Sequence, residues 1–291
     1  MAIIPETELI ITRRGSVYHL DLHPEEIAPV IITVGDPARV EKVSRYFDQR
    51  EIVRQHREFI THTGYIGKKR LSVISTGIGT DNIDIVLNEV DALFNIDLKT
   101  REAKNSLTAL KIIRIGTSGA LQADVALDSA VASEIAIGMD NLLNFYNLES
   151  SPFEKQLLLS FVSHVQENHI AFIPYIATCS PSLLNIFRSF CQAGITITCP
   201  GFYGPQGRFL RALPAYPGLI DQLSTFSMKG HRITNFEMET AGIYGLARIL
   251  GHEAISLSAI VANRIEKKFS TDPEQAVDRL IRLALEKISS G

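Results

Sequence analysis

Tryptophan is absent and cysteine nearly so, with only Cys179, Cys191 and Cys199 in 291 residues. Their odd number and the lack of any C-x-x-C spacing exclude a disulfide framework or a zinc ribbon. Buried free thiols in a reducing compartment are expected instead. Glycine (19) and proline (12) are too scarce for a collagen-like or low-complexity chain. No apolar run reaches the roughly 18 residues that a bilayer span needs. Residues Met1 to Glu8 contain neither a basic start nor a long apolar stretch, so no secretory signal is read. Charge of one sign is lacking too: 29 basic residues face 32 acidic ones, a formal −3. That balance leaves no electrostatic footprint for nucleic acid or an anionic membrane. The expectation is a cytoplasmic protein that binds neither.

What is present is an alternation of short apolar runs with amphipathic segments. Val30 to Val34, Leu71 to Ser75, Leu110 to Ile115, Ser129 to Ile137, Ile195 to Cys199 and Ala254 to Val261 read as strands. Helical spacing follows several of them, at Val40, Val43 and Phe47 and at Ile83, Val86, Val90, Leu93 and Phe94. Met238 to Leu250 reads as a helix stopped by Gly251, and Asp272-Pro273 caps and opens the last one. The pattern predicts an α/β fold, a mixed central sheet flanked by helices. With no repeat and no linker, residues 1–291 read as one domain, 1–16 forming an N-terminal extension. The polar stretches Asp97 to Ser106 and Asn141 to Lys155 read as surface excursions.

Three strands run into small turns: Gly35-Asp36-Pro37, Thr76-Gly77-Ile78-Gly79 and Gly116-Thr117-Ser118-Gly119. Ligands of α/β sheets gather at strand carboxyl ends, where glycine lets backbone N–H groups approach an anion. Each turn alone would be an ordinary tight connection. Gly77-Ile78-Gly79 lacks the third glycine of a dinucleotide fingerprint, and no nucleoside triphosphate loop exists. Arg39 follows the first turn, and Arg114 lies inside an apolar strand, where a guanidinium needs an anionic partner. That partner can be a bound phosphate or a structural carboxylate. Glu237-Met238-Glu239 reads as the start of a helix, where carboxylates suit the dipole or can grip a vicinal diol. Phe202 to Arg208 combines an aromatic face, an amide and a guanidinium, a set able to stack on a base and read its edge. Serine hydrolysis fails, because Gly116-Thr117-Ser118-Gly119-Ala120 is not G-x-S-x-G. His19 and His23 lack further clustered ligands for a metal, and His164 and His169 read as exposed or capping residues.

In order along the chain, these pieces resemble the nucleoside phosphorylase family, its uridine phosphorylase branch above all. The resemblance rests on Val17-Tyr18-His19-Leu20, Gly35 to Arg39, His56-Arg57-Glu58-Phe59, Ser75 to Gly79, Ile113 to Gly119, Phe202 to Arg208, Asn235 to Glu239 and Asn263-Arg264. It implies a pentosyltransferase that cleaves a pyrimidine nucleoside, uridine first, to free base and ribose 1-phosphate. Inorganic phosphate is then a co-substrate and no metal or organic cofactor is needed. The resemblance assigns phosphate to Gly35, Arg39, Arg114 and Thr117, with Arg57 from a neighbouring subunit. It assigns the ribose to Met238 and Glu239, with the neighbour's His19 on the 5′-hydroxyl, and the base to Phe202, Gln206 and Arg208. Arg114, Gln206 and Arg208 would carry the catalysis. Homodimers with shared sites, or hexamers built from them, are implied. Asn82 stands where some members have a serine near a monovalent-cation site, which argues against that cation here. Ala262-Asn263-Arg264 lacks the acid with which bacterial purine-cleaving relatives protonate their base, and Asn263→Asp is expected to restore purine cleavage partially at most. A purine phosphorylase, a nucleosidase or a non-catalytic nucleoside-binding protein are the alternatives.

Overall fold

Val30–Val34 is β-branched throughout and forms the first strand, well inside a twelve-stranded mixed sheet. The computed structural model describes residues 3–166 and 173–290. In chain order the strands are β1 (Val30–Val34), β2 (Gln49–His56), β3 (Phe59–Ile66), β4 (Lys69–Ser75), β5 (Ile96–Asp97), β6 (Glu102–Ala103) and β7 (Lys111–Ala120). There follow β8 (Ala130–Gly138), β9 (Tyr175–Thr178), β10 (Gln192–Thr198), β11 (Ser227–Met228), β12 (His231–Glu237), β13 (Glu253–Asn263) and β14 (Lys268–Phe269). The helices are α1 (Pro37–Ser44), α2 (Thr80–Asn95), α3 (Pro152–Gln166), α4 (Pro181–Phe187), α5 (Leu219–Thr225), α6 (Thr240–Ile249) and α7 (Pro273–Ser290).

The large sheet runs β11-β12-β10-β8-β13-β7-β1-β4-β3-β2. β12 also pairs with β7, through Asn235↔Ala120 and Phe236↔Gly119, so β7, β13, β8, β10 and β12 close into a ring. Two apolar clusters account for that shape. One fills the space between the open part of the sheet and the buried faces of α1, α2, α6 and α7. The other joins Ile135, Ile137, Ile195, Ile197 and Phe236 of the ring strands to Phe161 of α3 and Leu223 of α5. The expected mixed sheet covered by helices is the architecture found. No helix among the described residues is long and apolar enough to cross a membrane.

Several local expectations need correction. Gly116 to Gly119 is not a turn: it continues β7, because β13 pairs with it along its length in extended form and β12 joins it at Gly119. Its small residues serve close approach, since Phe236 packs on Gly119 and the Arg114 guanidinium lies on Gly116. α6 begins at Thr240, whereas Glu237 closes β12. α1 ends at Ser44, so Phe47 joins the core from beyond it. Asp97 to Ser106 is a surface excursion shaped as the small β5–β6 hairpin. Asn141 to Lys155 is only partly one, because Leu143 is buried against Gly245 and Glu154 is buried in a pair with Arg248. His164 is half-buried, its Nε2 at 2.8 Å from the Gln222 carbonyl oxygen, and ties α3 to α5. His169 lies outside the described residues. The hairpin β2–β3 and strand β12 had no apolar signature strong enough to read, β2 alternating charged and half-buried positions at the sheet edge.

Candidate active site

A cleft of about 710 Å³ opens where β1, β4, β10, β12 and β13 end and β7 crosses beneath them. Nine of the eleven residues named from the sequence line it: Gly35, Arg39, Arg114, Thr117, Phe202, Gln206, Arg208, Met238 and Glu239. The position follows from topology, since parallel strands release their chains into loops at one edge.

At one end, Asp36 caps α1 by accepting from the Ala38 N–H at 2.9 Å, which fixes the turn that carries Arg39. Arg39 forms no ion pair among the described residues, and it donates a long hydrogen bond to the Ile115 carbonyl oxygen at 3.4 Å. Burial lowers its pKa first, and the neighbouring Arg114 lowers it further. Two guanidiniums held close with one left unneutralised make a site that attracts an anion. Gly77 has φ +70°, and a Cβ there would lie 2.3 Å from Asn82 Nδ2, so only glycine serves at this turn.

Arg114 is fully enclosed. It meets Glu239 Oε2 at 2.5 Å and Glu237 Oε2 at 3.2 Å. Burial alone would lower its pKa, but Glu237 and Glu239 outweigh it and the net shift is upward. The structural ion pair and the anion-facing role are therefore both available to this side chain. The two glutamates divide their work. Glu237 accepts the N–H groups of Glu239 and Thr240 and the Thr198 hydroxyl, so it caps α6. Glu239 instead receives the Gly79 N–H at 2.7 Å and faces the cleft. Burial raises its carboxyl, Arg114 opposes that, and Glu237 adds to it. Gly116 is what lets Arg114 lie flat: a Cβ would sit 2.1 Å from its Nη1. Gly116→Ala should therefore displace the guanidinium and lower kcat/KM by roughly a hundredfold. Unchanged kinetics in that variant would show that the Arg114 position does not matter.

The Phe202–Arg208 loop, which also lines the cleft, is braced from within. The Arg208 guanidinium stacks 3.9 Å above the Phe202 ring and donates to the Phe202 carbonyl at 3.0 Å and to Gln206 Oε1 at 2.5 Å. Burial and nearby Arg264 push its pKa down to about 10, which leaves it charged at neutral pH. Gln206 is buried, and its amide nitrogen remains as donor. Arg264, noted in the sequence but given no role, proves to be the strut of this loop. It donates to the carbonyl oxygens of Gln206 and Gly207 at 2.9 and 3.3 Å. Phe236 forms the floor between Arg208 and Arg264. No residue pattern in the sequence marks either, since both act across the fold.

His19 and Arg57 are absent from this cleft. The segments that carry them touch each other instead: Arg57 lies 4.9 Å from the Tyr18 ring centroid, and His56 Nδ1 sits 2.8 Å from the His19 carbonyl oxygen. Asn263 also stays outside the cleft, its Nδ2 donating to the Gln122 and Val125 carbonyls at 2.9 and 3.0 Å. Asn263→Asp would put a carboxylate against two carbonyl oxygens. It should cost about 1–3 kcal/mol in chemical denaturation and yield no adenosine or inosine cleavage, a sharper outcome than the partial gain expected from sequence. Ser118 donates to the Phe236 carbonyl and so stitches β7 to β12, which leaves no activated serine. Among the described residues no cluster of three or more His, Cys, Asp or Glu is placed to hold a metal ion.

Residues 29–289 match the family model of the phosphorylase superfamily. The chain belongs to that superfamily. It is 31% identical to a Trypanosoma brucei nucleoside phosphorylase whose crystal structure is described as showing uridine phosphorylase activity. That match covers 97% of this chain and all of the other, with a TM-score of 0.87. The uridine phosphorylase of Thermococcus kodakarensis is 27% identical over 272 residues, 91% of this chain and 83% of that one. A DeoD-type purine nucleoside phosphorylase of Buchnera aphidicola is 25% identical over 276 residues, 94% of this chain and 99% of its own. The superfamily thus spans both base classes, and the choice between them falls to the cleft.

Proposed function

We propose that this enzyme cleaves uridine by phosphorolysis, forming uracil and ribose 1-phosphate. One observation carries the reading: an incompletely neutralised pair, Arg39 and Arg114, lines the same cleft as Glu239 and the Phe202, Gln206 and Arg208 set. Phosphate held by Arg39, Arg114, Thr117 and the Gly35 backbone attacks C1′ as the bond from C1′ to the base nitrogen breaks. Positive charge builds on the sugar and negative charge on the base. The phosphate stabilises the first, and Arg208 with the Gln206 amide stabilises the second. Glu239 accepts from the ribose hydroxyls, beside the Met238 backbone. Phosphate is a co-substrate, and the reading calls on no metal, monovalent cation or organic cofactor.

Pyrimidine over purine is supported by the base end of the cleft. Its carboxylates, Asp36, Glu58, Glu237 and Glu239, stand with the phosphate turns and Arg114, and none stands beside Gln206 and Arg208 to protonate a purine. A nucleosidase would have little use for the arginine pair. Uracil release from uridine that depends on phosphate tests the reading. Release at equal rate without phosphate, or faster cleavage of inosine, would overturn it.

The reading places the enzyme in the cytoplasm as a homodimer, extensible to a hexamer, in which each cleft receives His19 and Arg57 from the neighbour. The support is that neither residue lines its own cleft, while the segments that carry them touch through Arg57 on Tyr18 and His56 on the His19 carbonyl. Mixing inactive Arg57→Ala with inactive Glu239→Ala under subunit exchange should then restore activity, because one site of each mixed dimer carries neither lesion. Exchange proved by mass without recovered activity would refute shared sites.

A further inference from the structure

The loop that carries His19 is held by a single carboxylate 70 residues away. Glu89, in the third turn of α2, accepts the His19 N–H at 2.8 Å on Oε1 and 3.0 Å on Oε2. The Leu20 N–H adds a bond to Oε2 at 2.8 Å, and the His19 ring reaches Oε1 through Nδ1 at 2.6 Å. The His19 carbonyl is in turn held by His56. An ionised carboxylate can only accept, so Nδ1 must carry the proton of this bond. In a neutral imidazole the other nitrogen is then a bare acceptor. Nε2 has no hydrogen-bond partner among the described residues, and the side chain keeps 27% of its surface exposed.

We infer that Glu89 is a positioning residue, which holds His19 as the Nδ1–H tautomer so that Nε2 accepts from the 5′-hydroxyl of the nucleoside in the neighbouring subunit's cleft. The inference rests on the shared-site reading. It adds how the contact is oriented: the hydroxyl donates, the histidine accepts, and α2 supplies the group that makes it so.

Glu89→Gln tests it with little change of shape. A glutamine oxygen in the Oε2 place still accepts both backbone N–H groups, which leaves its NH₂ facing Nδ1. That NH₂ can only donate, so the ring must turn Nδ1 into the acceptor and move its proton to Nε2. The measurements are kcat/KM for uridine and for 5′-deoxyuridine, in the unaltered enzyme, Glu89→Gln, His19→Ala and the double variant. The preference for uridine should fall roughly five- to tenfold in each variant, with no further loss in the double one. On 5′-deoxyuridine, which lacks the hydroxyl, Glu89→Gln should lower the rate far less than on uridine.

If His19→Ala leaves the preference intact, the shared-site role of His19 fails and the inference falls with it. If His19→Ala abolishes the preference while Glu89→Gln keeps it, the role of Glu89 alone is refuted. Nitrogen NMR of the unaltered enzyme, with the His19 signals assigned by its variant, reads the tautomer directly. Nδ1 of the pyrrole type and Nε2 of the pyridine type are expected, and the reverse assignment overturns the inference even if Glu89→Gln does not fold.

Discussion

Arg114→Ala is expected to lower kcat/KM for uridine phosphorolysis by roughly 10²–10³, the loss seen when a buried donor aimed at transition-state charge is removed. The guanidinium is buried beside Arg39, and a water filling its place would supply no positive charge. A second consequence is structural. Glu237 and Glu239 would face each other with their shared cation gone, which costs about 3–5 kcal/mol for a broken buried pair. Thermal unfolding monitored beside the kinetics separates the two effects. Arg114→Lys keeps the charge but loses the fork, and should recover stability better than rate. Near-normal rates for Arg114→Ala at subsaturating phosphate would remove Arg114 from the reaction.

Arg208→Ala should lower kcat on uridine by roughly a hundredfold while the KM for phosphate stays within about twofold. The separation follows from the cleft, where Arg208 and Gln206 stand with Phe202 and Phe236, whereas Arg39 and Arg114 stand with each other and with Glu239. Gln206→Ala removes one neutral donor and should cost less, about tenfold. Because Arg208 Nη1 is bonded to Gln206 Oε1, the two losses should not add, and the double variant should fall short of their product. Phosphate KM rising in step with the loss of rate would show that Arg208 acts on the anion rather than on the base.

The apolar strands show how much of the fold could be read locally. β1 and the buried face of α2 announce themselves through β-branched runs and helical spacing, because their own buried positions are mostly apolar. β2 carries a polar edge and β12 mixes His231, Arg232 and Asn235 into its strand, so periodicity passes over both. Gly116 to Gly119 misleads in the other direction. Its composition is that of a turn, yet pairing with β13 along its length, and with β12 at Gly119, keeps it extended.

The chemical inventory of the cleft was legible in the sequence, since an arginine inside an apolar strand and an aromatic–amide–guanidinium loop need partners whatever fold surrounds them. The resemblance added their grouping. Which partner each residue takes is a matter of distance, and distance belongs to the tertiary structure alone. Glu237 and Glu239 are two residues apart and chemically identical, but a strand end points one at the α6 N–H groups and the other at Arg114 and Gly79. Arg264 braces a loop 57 residues away, and Glu89 grips a histidine 70 residues away. A sequence specifies the residue types that can make such bonds. Only packing decides which of the many equivalent carboxylates and guanidiniums come within 3 Å of one another, because a buried polar group must find its partners among the few groups packed against it.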